Sequence, residues 1–122
     1  MSMKSDLRRR TSVFALAIVR FYVALPKTTE AQILGKQVLR SGTSVGAHYR
    51  EAYRSRSDAK FISKVEVALQ ELEETLYWME LLRDSGASGS VSQTQMQDIV
   101  NEADQLIAIF TACVKNVKNK KQ

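Results

Sequence analysis

Little in this sequence can bend or cross-link a chain. It holds one proline, one cysteine and five glycines in 122 residues. The single cysteine, Cys113, excludes an intramolecular disulfide, which suits a reducing cytosol. With Pro26 as the sole proline, long helices can run unbroken and an architecture of many strands and turns is disfavoured. Histidine is equally scarce: His48 stands alone. A carboxylate-bridged di-metal site would want two Glu-x-x-His motifs, and this chain has one histidine in the reverse order before Glu51, so no metal or other cofactor is expected. Thr43 and Ser44 have no histidine-based relay within a convincing triad. No glycine-rich loop is placed to cradle a phosphate, because the central glycines fall inside a helical pattern.

Long apolar runs are missing too. Arg8, Arg9 and Arg10 precede an apolar stretch from Val13 to Leu25, the layout of a signal peptide. Arg20 interrupts that stretch, it is too short to span a bilayer, and no small-residue cleavage pattern follows. It reads as a core helix, and the protein is expected to be cytoplasmic with no membrane partner.

What is present is helical periodicity. The length suffices for one core, so residues 1–122 are read as a single domain. Segment one spans about 5–25, with Leu7, Phe14, Ile18, Phe21 and Leu25 at three-or-four spacing, Ser5 or Asp6 as cap, and Pro26 as terminator. Segment two spans about 30–53, with Thr29 and Gln32 as a capping box and Ile33, Leu34, Val38, Val45 and Tyr49 as apolar contacts. Gly35, Gly42 and Gly46 lie inside it, each costing about 1 kcal/mol against alanine. Either Ser41, Gly42 and Gly46 form a smooth face that admits a neighbouring helix, or the helix kinks near Gly42. Segment three spans about 58–84, capped by Ser57, with Phe61, Val65, Leu69, Leu72, Leu76 and Met79 inward and Gly86 ending it. Segment four spans about 93–117, with Ser92 and Gln95 as a second capping box and Met96, Ile99, Ala103, Leu106, Phe110, Cys113 and Val117 inward. On that stripe Cys113 is a small core hydrophobe, not a nucleophile. Four such helices with short connections give an all-α, antiparallel up-and-down four-helix bundle.

There is more apolar surface than one such bundle needs. Val13, Leu16, Val19, Tyr22 and Val23 extend segment one beyond a single stripe, and Tyr77, Trp78 and Leu81 do the same in segment three. A clustered surplus of this kind points to an interface with further copies of the chain.

Two blocks carry a resemblance. The first is the run from Arg40 to Ala52, in which Arg40, Ser41, Gly42, Ser44, Val45, Glu51 and Ala52 match. The second holds Phe61, Ile62, Ser63 and Lys64, then Glu71 and Glu74 to Trp78. Together they resemble the bacterial four helix bundle proteins, often encoded within intervening sequences of 23S ribosomal RNA genes. His48 stands where that family often has asparagine, and Gln70 where lysine is common. The resemblance implies a homo-oligomeric ring, a homopentamer, with no enzymatic activity. It also implies association with nucleic acid, RNA favoured, because accessory proteins of diversity-generating retroelements are similar in fold and work beside RNA. The residues themselves suggest that Arg40, His48, Glu51, Glu71 and Glu74 form one semi-buried polar network fixing helix register, with His48 as a neutral hydrogen-bonding group.

Charge placement adds an independent signal. The net charge is +5. An up-and-down bundle gathers at one end Lys4, Arg8, Arg9, Arg10, Arg50, Arg54, Arg56, Lys60, Lys64, Lys115, Lys118, Lys120 and Lys121. Against those thirteen bases stand Asp6, Glu51, Asp58 and Glu66, which leaves +9 there and −4 elsewhere. A basic end of this kind favours phosphate backbones with little sequence readout; the plainer reading is a solvated end that keeps the protein soluble. Only Tyr49 and Tyr53 lie near enough to stack on bases. Two functions follow from these features: a non-enzymatic RNA- or DNA-associated oligomer using the basic end, or a protein–protein scaffold using the apolar face near Trp78.

Overall fold

The computed structural model describes the backbone of residues 3–120 and the side chains of residues 6–120. It contains helices α1 (Met3–Ala24), α2 (Thr29–Tyr53), α3 (Asp58–Asp84) and α4 (Gln93–Asn119), with no strand among the described residues. α1 starts earlier than its capping residues suggested, so Ser5 and Asp6 lie inside it. It ends just before Pro26, where Leu25 N–H bonds to the Tyr22 carbonyl.

The α1–α2 corner corrects the first capping box. Thr28, not Thr29, is the N-cap, and its hydroxyl accepts from Ala31 N–H at 3.3 Å. Gln32 serves the turn instead: its amide donates to the Pro26 carbonyl at 2.8 Å and accepts from the Tyr22 hydroxyl at 3.0 Å. Ser57 and Ser92 cap α3 and α4 through Lys60 N–H and Gln95 N–H. After α3 the chain reverses through Gly86 (φ 76°), and Ser88 N–H reaches back to the Leu82 carbonyl. Gly89 (φ 61°) then lies against Pro26, so the α3–α4 loop packs on the α1–α2 corner.

The glycines of α2 mark where α1 comes close, and α2 runs through them unbroken. Gly35 faces Leu25 and Tyr22, Gly42 faces Ile18, and Gly46 faces Thr11. On the α3 side, the Ser41 hydroxyl meets the Thr75 hydroxyl at 2.8 Å in the core. Both hydroxyls also reach a carbonyl of their own helix, Gln37 and Glu71 respectively, so neither is stranded in an apolar setting.

One core joins the four helices, an arrangement consistent with a four-helix bundle. Phe14, Ile18, Phe21, Val38, Val45, Tyr49, Leu72, Met79, Leu106 and Phe110 are fully enclosed, and Tyr49 stacks on Phe110 at 5.3 Å. α1 and α3 occupy opposite corners, as do α2 and α4. Of the inward assignments, Ile33 fails, while Leu34, Leu69, Leu76, Cys113 and Val117 are half-buried against the core. Ile33 points outward at 59% exposure, because Ala31 and Gly35 take the core face of α2. Val114, four residues after Phe110, takes the buried place expected for Cys113, which is only half-buried. A helix of 3.6 residues per turn drifts off a strict seven-residue stripe in this way. No helix among the described residues is long and apolar enough to cross a membrane.

Candidate nucleic-acid interface

The junction of α2 and α3 brings the basic residues together. Helix α2 ends at Tyr53, residues 54–57 turn the chain, and the last of them, Ser57, caps α3, which starts at Asp58. Arg54, Arg56 and Lys60 line an open cleft there with Ser55, Ser57, Glu51 and Lys64. The end of α4 reaches the same region: Lys120 lies 3.6 Å from Asp58, and Lys118 3.7 Å from Glu66.

Ion pairing sorts the candidate residues into two groups. Lys64 binds Glu51 at 2.6 Å, and this contact holds the Glu51 carboxyl below the usual carboxylate range. Arg10 forks onto Glu102 of α4 at 2.6 and 3.1 Å and also reaches Gln105. Arg50 donates to the Ser12 hydroxyl at 3.2 Å, and Arg8 lies over the Tyr53 ring, 4.8 Å from its centroid. Arg9, Arg54, Arg56, Lys60 and Lys115 have no ion pair with a described carboxylate. The three that share the cleft, Arg54, Arg56 and Lys60, are all exposed. The nearby acids Glu51, Asp58 and Glu66 are each engaged by a lysine. The N-terminus of α3 adds the partial positive charge of its first turn to that cleft. The side chains of Lys4 and Lys121, also expected at this end, lie outside the described residues.

Base stacking has less to work with than the sequence suggested. Tyr49 is fully buried, and burial pushes its phenol up well above the ordinary value. Tyr53 is partly exposed, with Arg8 on its ring.

The polar residues expected to form one network fall into two groups. Arg40 of α2 reaches Glu74 at 2.7 Å and Glu71 at 3.3 Å on α3. Further along, Glu51 belongs with Lys64, and His48 stands 3.9 Å from Glu51. That separation is too long for a hydrogen bond. The enclosed His48 Nδ1 has no hydrogen-bond partner, so His48 does not bond at that atom as expected. The two groups separate because Arg40 and Glu51 are three helical turns apart on α2. Among the described residues, no three His, Cys, Asp or Glu side chains converge as a metal site would need.

The apolar surplus also divides. Val13, Leu16, Val19, Val23 and Tyr77 are exposed. Tyr22, Trp78 and Leu81 are only half-buried: Tyr22 packs beside Gly35, and Trp78 meets Tyr77 edge-on at 4.9 Å. An acidic set around Tyr77, Glu73 and Glu80, escaped notice in the sequence, although its spacing of three and four residues was readable.

A family model, the 23S rRNA-intervening sequence protein, matches residues 3–112. The chain belongs to this family. A crystal structure of a protein with unknown function from the S23 ribosomal protein family of Bacteroides thetaiotaomicron VPI-5482 is similar at 35% identity and a TM-score of 0.81. The match covers 93% of this chain and 99% of that one. No curated protein matches the chain. The family match takes in α1 to α3 and most of α4, and so includes the α2–α3 cleft.

Proposed function

We propose that this chain is a non-enzymatic, cytoplasmic, oligomeric member of its family that associates with nucleic acid, RNA first, through the cleft at the α2–α3 junction. One observation carries the reading: Arg54, Arg56 and Lys60 line the cleft with no carboxylate neutralising them, while the acids nearby are each held by a lysine. Unneutralised bases on an exposed surface attract phosphate backbones and release their counterions. The cleft lining holds no aromatic residue on which a base could stack, so backbone binding with little sequence preference is the expected mode.

The assembly in this reading is an antiparallel up-and-down bundle that closes into a ring of copies, a homopentamer. Supporting the topology, Gly35, Gly42 and Gly46 meet Leu25, Ile18 and Thr11 in rising-against-falling order, and Arg40 meets Glu71 where Glu51 meets Lys64. Supporting assembly, four apolar side chains of α1 stand in solvent. A ring would repeat the basic cleft around its axis and raise the avidity for a long strand.

The test is fluorescence anisotropy of a labelled single-stranded RNA against wild type and an R54E/R56E/K60E variant of unchanged helicity. Loss of affinity on the order of 10² is expected at low salt. Equal affinity would overturn the reading. The alternative, a protein–protein scaffold with no nucleic-acid role, would then gain support from salt-insensitive capture of a protein partner that a Tyr77→Ser change abolishes.

A further inference from the structure

The outer face of α1 and the outer face of α3 differ in charge and point in opposite directions. On α1, Val13, Leu16 and Val23 are 57%, 52% and 67% exposed, and Arg9 and Arg20 flank this stripe. Neither arginine has an ion pair with a described carboxylate. On α3, Tyr77 is 54% exposed, with Glu73 and Glu80 on the same exposed stripe. Neither of those glutamates forms a salt bridge with a described base; Arg83, one turn on from Glu80, feels its charge but is bound to Asp84. Beside Tyr77, the Trp78 indole N–H is enclosed without an acceptor. One face is therefore apolar and basic, the other aromatic and acidic, and the two occupy opposite corners of the fold.

We infer that these faces are the two halves of one contact: the α1 face of one copy docks on the α3 face of the next, with Arg20 against the Glu73 and Glu80 pair. This deepens the self-assembly reading above and rests on it. Self-pairing of either face would bring like charges together, Arg20 to Arg20 or Glu80 to Glu80, which is unfavourable in a partly desolvated contact. Pairing α1 with α3 matches opposite charges and covers the apolar stripe with the tyrosine. Such a contact is heterologous: each copy keeps one free face of each kind, so the association propagates until it closes. The α1 side borders a groove toward α4 whose wall includes Asp98 and Glu102, and Arg10 already engages Glu102. Asp98 makes no ion pair with Arg20, which leaves that guanidinium available.

Mixing two variants tests the pairing by mass in light scattering. The full chain carrying L16E/R20E loses the α1 face, and the full chain carrying Y77E loses the α3 face; all three positions are exposed, so the helices should form as in wild type, with circular dichroism as the check. Wild type should run as a multiple of 13.7 kDa, and each variant alone as a single chain. A one-to-one mixture should give two-chain particles and nothing larger, since one intact α1 face and one intact α3 face remain. The inference is overturned if either variant alone assembles like wild type, or if the mixture stays single-chain. A single-chain wild type would sink the self-assembly reading as well; an assembled wild type with an assembled Y77E variant sinks this inference only.

Discussion

Ile18 fills the space above Gly42: a β-carbon added to Gly42 would fall 2.7 Å from Ile18 Cγ1 and 2.9 Å from its Cδ1. Ile18 is fully buried, so it has nowhere to go. The glycine is therefore what lets α1 and α2 approach at mid-length, and its cost in helix propensity is the condition for that approach.

Gly42→Ala should destabilise the fold, because overpacking costs about 1–3 kcal/mol and outweighs the gain of about 1 kcal/mol in helix propensity. Gly46→Ala should be the mildest of the three, since its new carbon would meet Thr11 Oγ1 at 3.2 Å, a tight contact that the buried Thr11 relieves by giving a few tenths of an ångström. Gly35→Ala should also destabilise, but less than Gly42→Ala: its new carbon would fall 2.5 Å from Cδ1 at the far end of the buried Leu25 side chain, whereas the one at Gly42 would meet both branches of Ile18. Urea denaturation of the three variants checks the order, and equal midpoints for all three would contradict it.

Arg40 and Glu71 should couple. The Glu71 side chain keeps only 10% of its exposure, and Arg40 is its ion-pair partner at 3.3 Å. Arg40→Ala strands that carboxylate and should cost about 1–3 kcal/mol. Adding Glu71→Gln should recover part of the loss, so a double-mutant cycle in urea should give a non-zero interaction term. Strict additivity would place Arg40's role with Glu74 alone.

Glu51 offers a titration test. Lys64 holds its carboxyl below the ordinary range, so this contact favours the folded chain above the unfolded pKa and is lost as pH falls through the lowered one. In carbon-detected NMR, Lys64→Ala should raise the Glu51 midpoint toward the ordinary carboxylate value. An unmoved midpoint would contradict the pairing.

The sequence was legible where one local signal had no rival. Ser57 and Ser92 each precede an apolar pattern in a polar turn, and both cap as expected. At the α1–α2 corner two threonines competed, and Gln32 was drawn off to bond the Pro26 carbonyl, so the cap moved to Thr28. Adjacent Ile33 and Leu34 could not be ranked by period; the close approach at Gly35 turned Ile33 outward. At the candidate site, Arg54, Arg56 and Lys60 are neighbours across one turn, so their gathering at the α2–α3 junction was readable. Which of the bases nearby are neutralised was not legible, because Lys64 to Glu51 and Lys118 to Glu66 depend on the register between packed helices, which no local signal sets.

The salt dependence of RNA binding tests the central claim most directly. Anisotropy titrations of one single-stranded RNA across a salt series should give log K falling linearly with log salt. Engagement of Arg54, Arg56 and Lys60 in one protomer alone predicts a slope of about −2, and further protomers would steepen it. Absence of binding at low salt, or an affinity that ignores salt, would contradict the account.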